Sequence, residues 1–491
     1  MSTLDAVLAA KAHAEGRAQR RSAYRHRHLA EKPIAMVPWH LGAEPFTYAA
    51  LAYGTDRTAF ALALPGEPRD RRLLFPATVP LARWFNELFE APWVAAGGLE
   101  RRGPLRAAPQ VIVPNEGAVT VLRKLGRRFA YLPTEPRTDG PPPADPVLVR
   151  FGRHLQFLGL TTGQPGRQLV VTATTLAADG WATEQNVAER ANLAALDAWI
   201  DPPPGLHGFD AASEAEDVTA GPLPTPDVEQ RVNSLIEAFR AARDEERPAG
   251  GEQALRELSE IYRGLSEKAW KLMWRAIDRE RAWQEEPRFL PDRWLDDVDQ
   301  YDRHMNWMNG PAQGRRRTRE TVRQALVMRR QLEAAATRLE AEEAISDPLR
   351  LVPYLLDNRA FEGELVSFDA SHKEVKPGRR NATSAPLATV RTGFPCLMPV
   401  GKVVWSSLDP AKLEATVEGV RPDPDGPGSL VTVKFTKNMK AAERIKGLQR
   451  QCFTELTTSV FMWDKVPDSD PWTHRLTPND PASIEDGDEG E

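Results

Sequence analysis

ALRELSEIYRGLSEKAWKLMWRAI, residues 254–277, is the stretch on which the architecture of this chain turns. Leu255, Leu258, Tyr262, Leu265, Ala269, Leu272 and Ala276 recur at steps of three and four, the spacing of one helical face. Ile261, Met273 and Ile277 widen the stripe, and Trp270 and Trp274, four apart, are neighbours on it. Pro287 and Pro291 stop the helix, because proline cannot donate to the ladder and clashes with the preceding turn. A second amphipathic run starts near Thr318 with Val322, Leu326, Leu332, Ala336 and Leu339, and Asp347-Pro348 ends it. Two long helices in succession predict an antiparallel hairpin or stalk over 227–346, with a plain helical core domain as the alternative.

Around that centre, 491 residues suffice for two to four domains, and a hydrophobic fraction of 41% is ordinary for a globular chain. The 42 prolines gather where linkers and turns are expected, notably over 202–226, which reads as an acidic, Pro-rich linker. The net charge of −5 hides an uneven distribution. Residues 1–32 carry seven Lys or Arg against three Asp or Glu and predict a basic N-terminal helix. Residues 464–491 carry two basic against nine acidic side chains and read as a solvating, disordered tail. Cys396 and Cys452 alone, without paired spacing, argue against a disulfide framework or structural zinc and for a reducing, cytoplasmic setting. No apolar run approaches the ~20 residues of a membrane span, so no membrane contact is expected.

The flanks read as β-containing. In 33–201, Ile34–Trp39, Thr47–Tyr53 and Phe60–Leu64 have strand character, Leu73–Phe75 suggests a fourth strand, and Val79–Phe89 a helix. Val111–Val113, a helix from Pro114 to Leu125 and Phe129–Leu132 form a βαβ-like pattern with parallel pairing. Val147–Leu158, Gln168–Ala178 and Asn186–Ile200 read as helices. In 347–463, Glu362–Phe368, Leu387–Thr392, Val400–Ser406, Leu413–Val420 and Leu430–Thr436 alternate with period two, and Asn438–Gln451 reads as a basic helix. Five short strands with Pro-Gly turns predict a small barrel of OB or SH3-like size. The fold class is therefore α+β multidomain: an N-terminal mixed α/β domain, a central helical stalk and a C-terminal barrel.

Recognisable chemistry is sparse. There is no Walker A loop, no Gly-x-Ser-x-Gly elbow and no His-Glu-x-x-His, and neither a cofactor nor a metal is implied. Asp292, Asp296, Asp297, Asp299, Asp302 and His304 cluster, but Asp302 stands where a calcium loop needs glycine, and an acidic helix start explains them better. Asp369, Glu374 and Lys376 have the residue types of a metal-dependent nuclease, with only four residues between the acids. His26 and His28 sit in a basic segment expected to be solvated. The basic residues are more coherent. Arg315, Arg316, Arg317, Arg319 and Arg323 crowd the start of the second long helix, where the dipole favours anions. On the barrel, Lys437, Lys440 and Arg444 share a face if 437–450 is helical, with Lys402 and Lys434 on strands and Arg379 and Arg380 on a hairpin.

A helical stalk followed by a small barrel, with phrases such as Arg359-Ala360-Phe361-Glu362-Gly363-Glu364, resembles the stalk-and-barrel region of some superfamily 1 helicases. The resemblance covers about two fifths of the chain and implies a barrel that contacts a nucleic-acid strand. No motor domain follows the barrel here, so it also implies an accessory piece served by an ATPase or helicase on another chain. The expectation is a non-enzymatic nucleic-acid-binding or adaptor subunit, of the kind that serves a DNA-processing or defence complex in bacteria. The binding residues would be Lys437, Lys440, Arg444, Lys402, Lys434, Arg379, Arg380, Arg316 and Arg317. A protein-interaction scaffold and a metal-dependent nuclease are the alternatives.

Overall fold

The computed structural model describes residues 3–95, 108–136, 142–310, 321–375, 378, 380–447 and 450–459. The chain divides into two compact units, Met1–Gly314 with Glu343–Asp357 and Arg315–Glu342 with Asn358–Glu491. Expectations for the acidic tail 464–491, for Arg316 and Arg317 and for Arg379 lie outside the described residues. Among the described residues no helix is long and apolar enough to cross a membrane.

The first unit begins with helix α1 (Thr3–Glu15), strand β1 (Gln19–Arg20), β2 (Ile34–Trp39), β3 (Ala50–Gly54), β4 (Ala61–Ala63) and the long α2 (Arg71–Ala95). Next come β5 (Val111–Val113), α3 (Glu116–Phe129), α4 (Pro146–Thr161), β6 (Val170–Thr172), α5 (Ala173–Gly180) and β7 (Trp181–Ala182). Helices α6 (Leu193–Ile200), α7 (Gly208–Ala215), α8 (Pro226–Asp244), α9 (Pro248–Arg281) and α10 (Leu290–Asn309) follow. Helix α11 (Val322–Ser346) leads back into this unit, which ends in α12 (Pro348–Leu356).

Its centre is a five-stranded sheet of order β4-β3-β2-β5-β6, antiparallel from β4 to β2 and parallel from β2 to β6. Every residue of β2 and β5 is buried, which requires helices on both faces. Strand alternation divides the residues between two cores. Ile34, Met36, Val111 and Val113 join α2, α3, α4 and α10 on one side. Ala35, Val37, Trp39 and Ile112 join α5, α8 and α9 on the other. The parallel partner of β5 is β6, within a segment read as helical, and Phe129–Leu132 is instead the end of α3 and a turn. Leu73–Phe75 is helical, not a strand: Asp70 accepts from the Arg72 amide at 2.9 Å and starts α2.

Residues 254–277 lie in α9, and their apolar face rests on the sheet rather than on a second stalk helix. Leu258, Tyr262, Ala269, Trp270, Met273 and Ile277 are all buried in the second core. Apolar periodicity measures only that a face is covered, so the predicted stalk over 227–346 was a core helix at this point. The helix running back along α9 is α8, joined to it by a short turn. Residues 202–226 are likewise packed in place. They contain α7, the His40 amide donates to Pro222 O at 2.8 Å, and Asn115 Nδ2 donates to Gly221 O at 2.8 Å. Backbone carbonyls that meet such donors no longer belong to a free linker.

The expected basic helix of 1–32 also ends early. Gly16, at φ +63°, closes α1 where a Cβ would stand 2.5 Å from the His207 ring. Beyond it the chain runs as an extended strap in which Arg25, His26 and His28 are buried rather than solvated. Asp347 clasps the strap. Its Oδ2 accepts from Ser22 Oγ at 2.6 Å and the Ala23 amide at 2.8 Å and lies 3.0 Å from His26 Nε2. Its Oδ1 caps α12 through the Leu349 amide at 2.8 Å.

The second unit holds a closed barrel. Its strands are β8 (Ala360–Asp369), then, after a small hairpin of β9 (Lys373–Glu374) and β10 (Thr383–Ser384), β11 (Leu387–Thr392), β12 (Val403–Ser406), β13 (Glu414–Pro422), β14 (Ser429–Phe435) and β15 (Arg450–Thr454). The barrel order is β11-β14-β13-β12-β15-β8. Alternate side chains fill it, with Phe361 stacked on Phe453 at 5.3 Å among Val390, Val404, Val417, Val431 and Val433. Closure depends on β15, whose first two residues, Arg450 and Gln451, fall in the run read as a basic helix. That helix shrinks to α13 (Met439–Ala442) and one 3-10 segment, Glu443–Gly447.

Candidate nucleic-acid interface

The barrel cations divide into two groups by what they touch. Lys434 Nζ lies 2.8 Å from Glu418 Oε1 and 3.0 Å from Glu374 Oε2. The pairing of β13 with β14 steps from Val417 to Gly419, so Glu418 is the extra residue of a bulge. The hydrogen bond that Lys434 donates to Glu418, ahead of the one to Glu374, holds its ammonium above its ordinary value despite partial burial. Lys437 is bonded to Glu414. Burial of that carboxylate opposes ionisation, but the bonds from Lys437 and Thr436 outweigh it and keep it below the usual range. Lys402 Nζ lies 2.7 Å from Glu455 Oε2, whose other oxygen takes Arg359. Three of the expected phosphate contacts thus already face carboxylates of the same unit.

Lys437, Lys440 and Arg444 do not share a helical face. Asn438, at φ +57°, stands between Lys437 and α13, and Arg444 lies on the 3-10 segment, which advances about three residues per turn. The lysine at 440 is on α13, with its side chain outside the described residues.

The second group lies on the β9–β10 hairpin that follows β8 and on the 3-10 segment. Lys446, exposed on the 3-10 segment, places Nζ 5.3 Å from the centre of the Phe368 ring, a cation–π contact. Arg444 is exposed on the same segment, which Ala442 and Ile445 anchor in the barrel core. Lys373 is exposed on β9 immediately after β8, and Arg380 is exposed on the β9–β10 hairpin. These four cations make no ion pair among the described residues. Lys373 and Phe368 were not singled out from sequence, and Lys446 was read only as part of the basic run. The only signal was the basic run itself, because the chain order does not reveal which lysines face a glutamate across strands.

The acids expected to hold a metal in a nuclease are occupied separately. Asp369 accepts from the Ser371 amide at 2.8 Å and from its hydroxyl at 2.6 Å, in a turn, while Glu374 faces Lys434. Among the described residues no group of three His, Cys, Asp or Glu side chains is arranged to hold a metal. On α10, Asp297 is fully buried against Arg167 at 3.1 Å, and burial pushes its carboxyl up to about 7 despite that partner. Asp297 belongs to the packing of the first unit, not to an exposed acidic face.

Two other features stand out. The first unit holds a groove of about 1220 Å³ with Phe60, Trp270 and Trp274 in its lining and Arg263, Lys271, Asp201 and Glu214 on its walls. On the barrel, the β11–β12 loop exposes Phe394 by 81%, Leu397 by 75% and Val400 by 65%, although Cys396 and Met398 beside them are buried.

A buried carboxylate beneath the strap supplies a pH test. Glu280 is 3% exposed, and burial pushes it up to about 8 even though Arg25 pulls the other way. The folded state therefore keeps a proton that the unfolded chain loses near its ordinary value of 4.5. This favourable uptake is complete below 4.5 and is lost as pH rises through 8. Glu280→Gln should melt above the parent at pH 8–9, by on the order of 3 kcal/mol, with the gap closing toward acid. Denaturant titrations at three pH values check this, and equal slopes for parent and variant contradict it.

No protein-family model matches the chain, and no curated protein matches it.

Proposed function

We propose that this chain is a non-enzymatic nucleic-acid-binding or adaptor subunit whose contact surface is the end of the barrel around Phe368. The observation that carries this reading is Lys446 held over the half-buried Phe368 ring, together with Lys373, Arg380 and Arg444, exposed cations of the β9–β10 hairpin and the 3-10 segment that make no ion pair among the described residues. Unpaired cations release counterions when they meet phosphates, whereas Lys402, Lys434 and Lys437 would first have to give up their glutamates. Phe368 offers a surface for base stacking, which tolerates any sequence, and no set of side chains suggests base-specific readout. Such a subunit would hold a strand for a motor ATPase on another polypeptide.

The test is fluorescence anisotropy of the full chain with a labelled single strand at several salt concentrations. Affinity should fall with salt, with a slope of roughly −0.7 per phosphate contact. Reversing Lys373, Arg444 and Lys446 to glutamate together should weaken binding to all sequences alike and flatten that slope, while Lys437→Gln should change little. Absence of binding at low salt, or binding indifferent to the triple reversal, rejects the reading. A protein-interaction scaffold is then favoured by the exposed Phe394, Leu397 and Val400, because three large apolar side chains on a pinned loop suit a protein partner.

A further inference from the structure

The groove of the first unit is bounded by α9, by α6 and α7, and by the loop between β3 and β4. Its volume of about 1220 Å³ exceeds the roughly 300–1,000 Å³ of pockets that enclose small ligands. The base is apolar. Trp270, Leu272 and Trp274 are buried on α9, and the half-buried Phe60 ring lies 5.3 Å from that of Trp270. One wall is built of alanines. Ala194 and Ala198 on α6, and Ala211 and Ala215 on α7, are each four residues apart and so share a helical face. Short side chains let a further helix approach toward the near end of the usual spacing of about 8–10 Å.

The charges of the groove are sorted by wall. Arg57 pairs with Asp278 at 3.0 Å, and Arg275 pairs with Asp197. The other charged side chains of the lining make no ion pair among the described residues. On α9 they are Arg263, Lys268 and Lys271 against Glu267, whereas α6 and α7 offer Asp201, at the end of α6, and Glu214. One side is net positive and the other negative. Among the described residues no strand residue lines the groove, so an extended peptide would find no sheet edge to pair with. A helix brings its own backbone hydrogen bonds and needs only an apolar stripe for the base and charges to match the two sides.

We propose that this groove docks an amphipathic helix of a partner protein, its apolar stripe flanked by acids on the side of α9 and by bases on the side of α6 and α7. The groove belongs to the first unit, and its partner is recognised without the barrel.

Fluorescence anisotropy of the full chain with three labelled synthetic helices of about five turns tests this. The peptides share one leucine stripe and carry glutamate on one flank and lysine on the other, glutamate on both, or lysine on both. The mixed peptide should bind about tenfold more tightly than either uniform one, the scale of two or three surface ion pairs. Lys268→Glu/Lys271→Glu changes two exposed side chains and should move the preference to the peptide with lysine on both flanks. Ala198→Trp fills the groove and should abolish binding of all three with unchanged circular dichroism. Absence of binding overturns the proposal, as does equal affinity for the three peptides or indifference to the lysine reversal. Self-association of the chain that Ala198→Trp abolishes assigns the groove to a second copy instead. Reversal of Lys373, Arg444 and Lys446 should leave peptide binding unchanged, and a loss there places the contact on the barrel and rejects the groove.

Discussion

Asp347→Ala should lower the stability of the first unit by about 3–5 kcal/mol and release the N-terminal strap. The carboxylate is 1% exposed and serves two segments far apart in the chain. One oxygen collects the Ser22 hydroxyl, the Ala23 and Tyr24 amides and His26, and the other caps α12. Burial opposes its ionisation, but the bonds from His26 and Ser22 prevail and hold it far below the usual carboxylate range. Its contribution is therefore present at neutral pH and is lost only in strong acid. Alanine leaves several buried donors without an acceptor, which costs more than the bonds themselves contribute. Asp347→Asn should fall between the two, because an amide oxygen can still cap α12. Denaturant unfolding, together with tryptic cleavage within 17–27, reads the effect. An alanine variant with the parent's midpoint and an uncut strap would falsify the clasp.

The second large effect is expected at Gly152, where α4 crosses α3. A Cβ there would stand 2.3 Å from the Ala130 amide nitrogen and 2.6 Å from the Phe129 carbonyl carbon. Gly126 makes the reciprocal approach, 2.6 Å from the Gln156 nitrogen. Backbone atoms cannot swing aside as a side-chain end can, so Gly152→Val must part the helices and open the core around Phe129, Phe151 and Leu155. The loss should exceed about 3 kcal/mol, the scale of a misfilled core. Gly264→Ala is the control. It lies on the exposed side of α9 with nothing within 4 Å of its Cβ, and should stabilise by up to about 1 kcal/mol through helix propensity. If both substitutions shift the melting temperature alike, backbone approach is not what Gly152 provides.

Much of the secondary structure was written in local pattern. Ile34–Trp39, Val111–Val113 and Leu387–Thr392 appear as strands at the residues where apolar runs and alternation place them. The barrel itself was legible because period-two alternation records one buried face strand by strand. The errors came where pattern is ambiguous. Val170–Thr172 sits beside the helical run Ala173–Gly180, and a three-residue apolar strand cannot be separated from a helix start by periodicity. The basic run around 437–450 promised a helix, but Asn438 in the left-handed region interrupts it and β15 is required to close the barrel.

The candidate site was less legible than the fold. Charge density near the barrel is a property of composition, and it marked the region correctly as rich in lysine and arginine. Which of those charges remain available depends on partners across strands: Glu414 for Lys437, Glu418 and Glu374 for Lys434, Glu455 for Lys402. Those pairings follow from strand register and from one bulge, and sequence distance carries no trace of them. The same holds for α9 and α11. Local sequence determined that both would be amphipathic helices, because helical periodicity is a relation among residues three and four apart. Only tertiary structure decided that the sheet covers the apolar face of α9, because burial depends on surfaces brought together from distant parts of the chain.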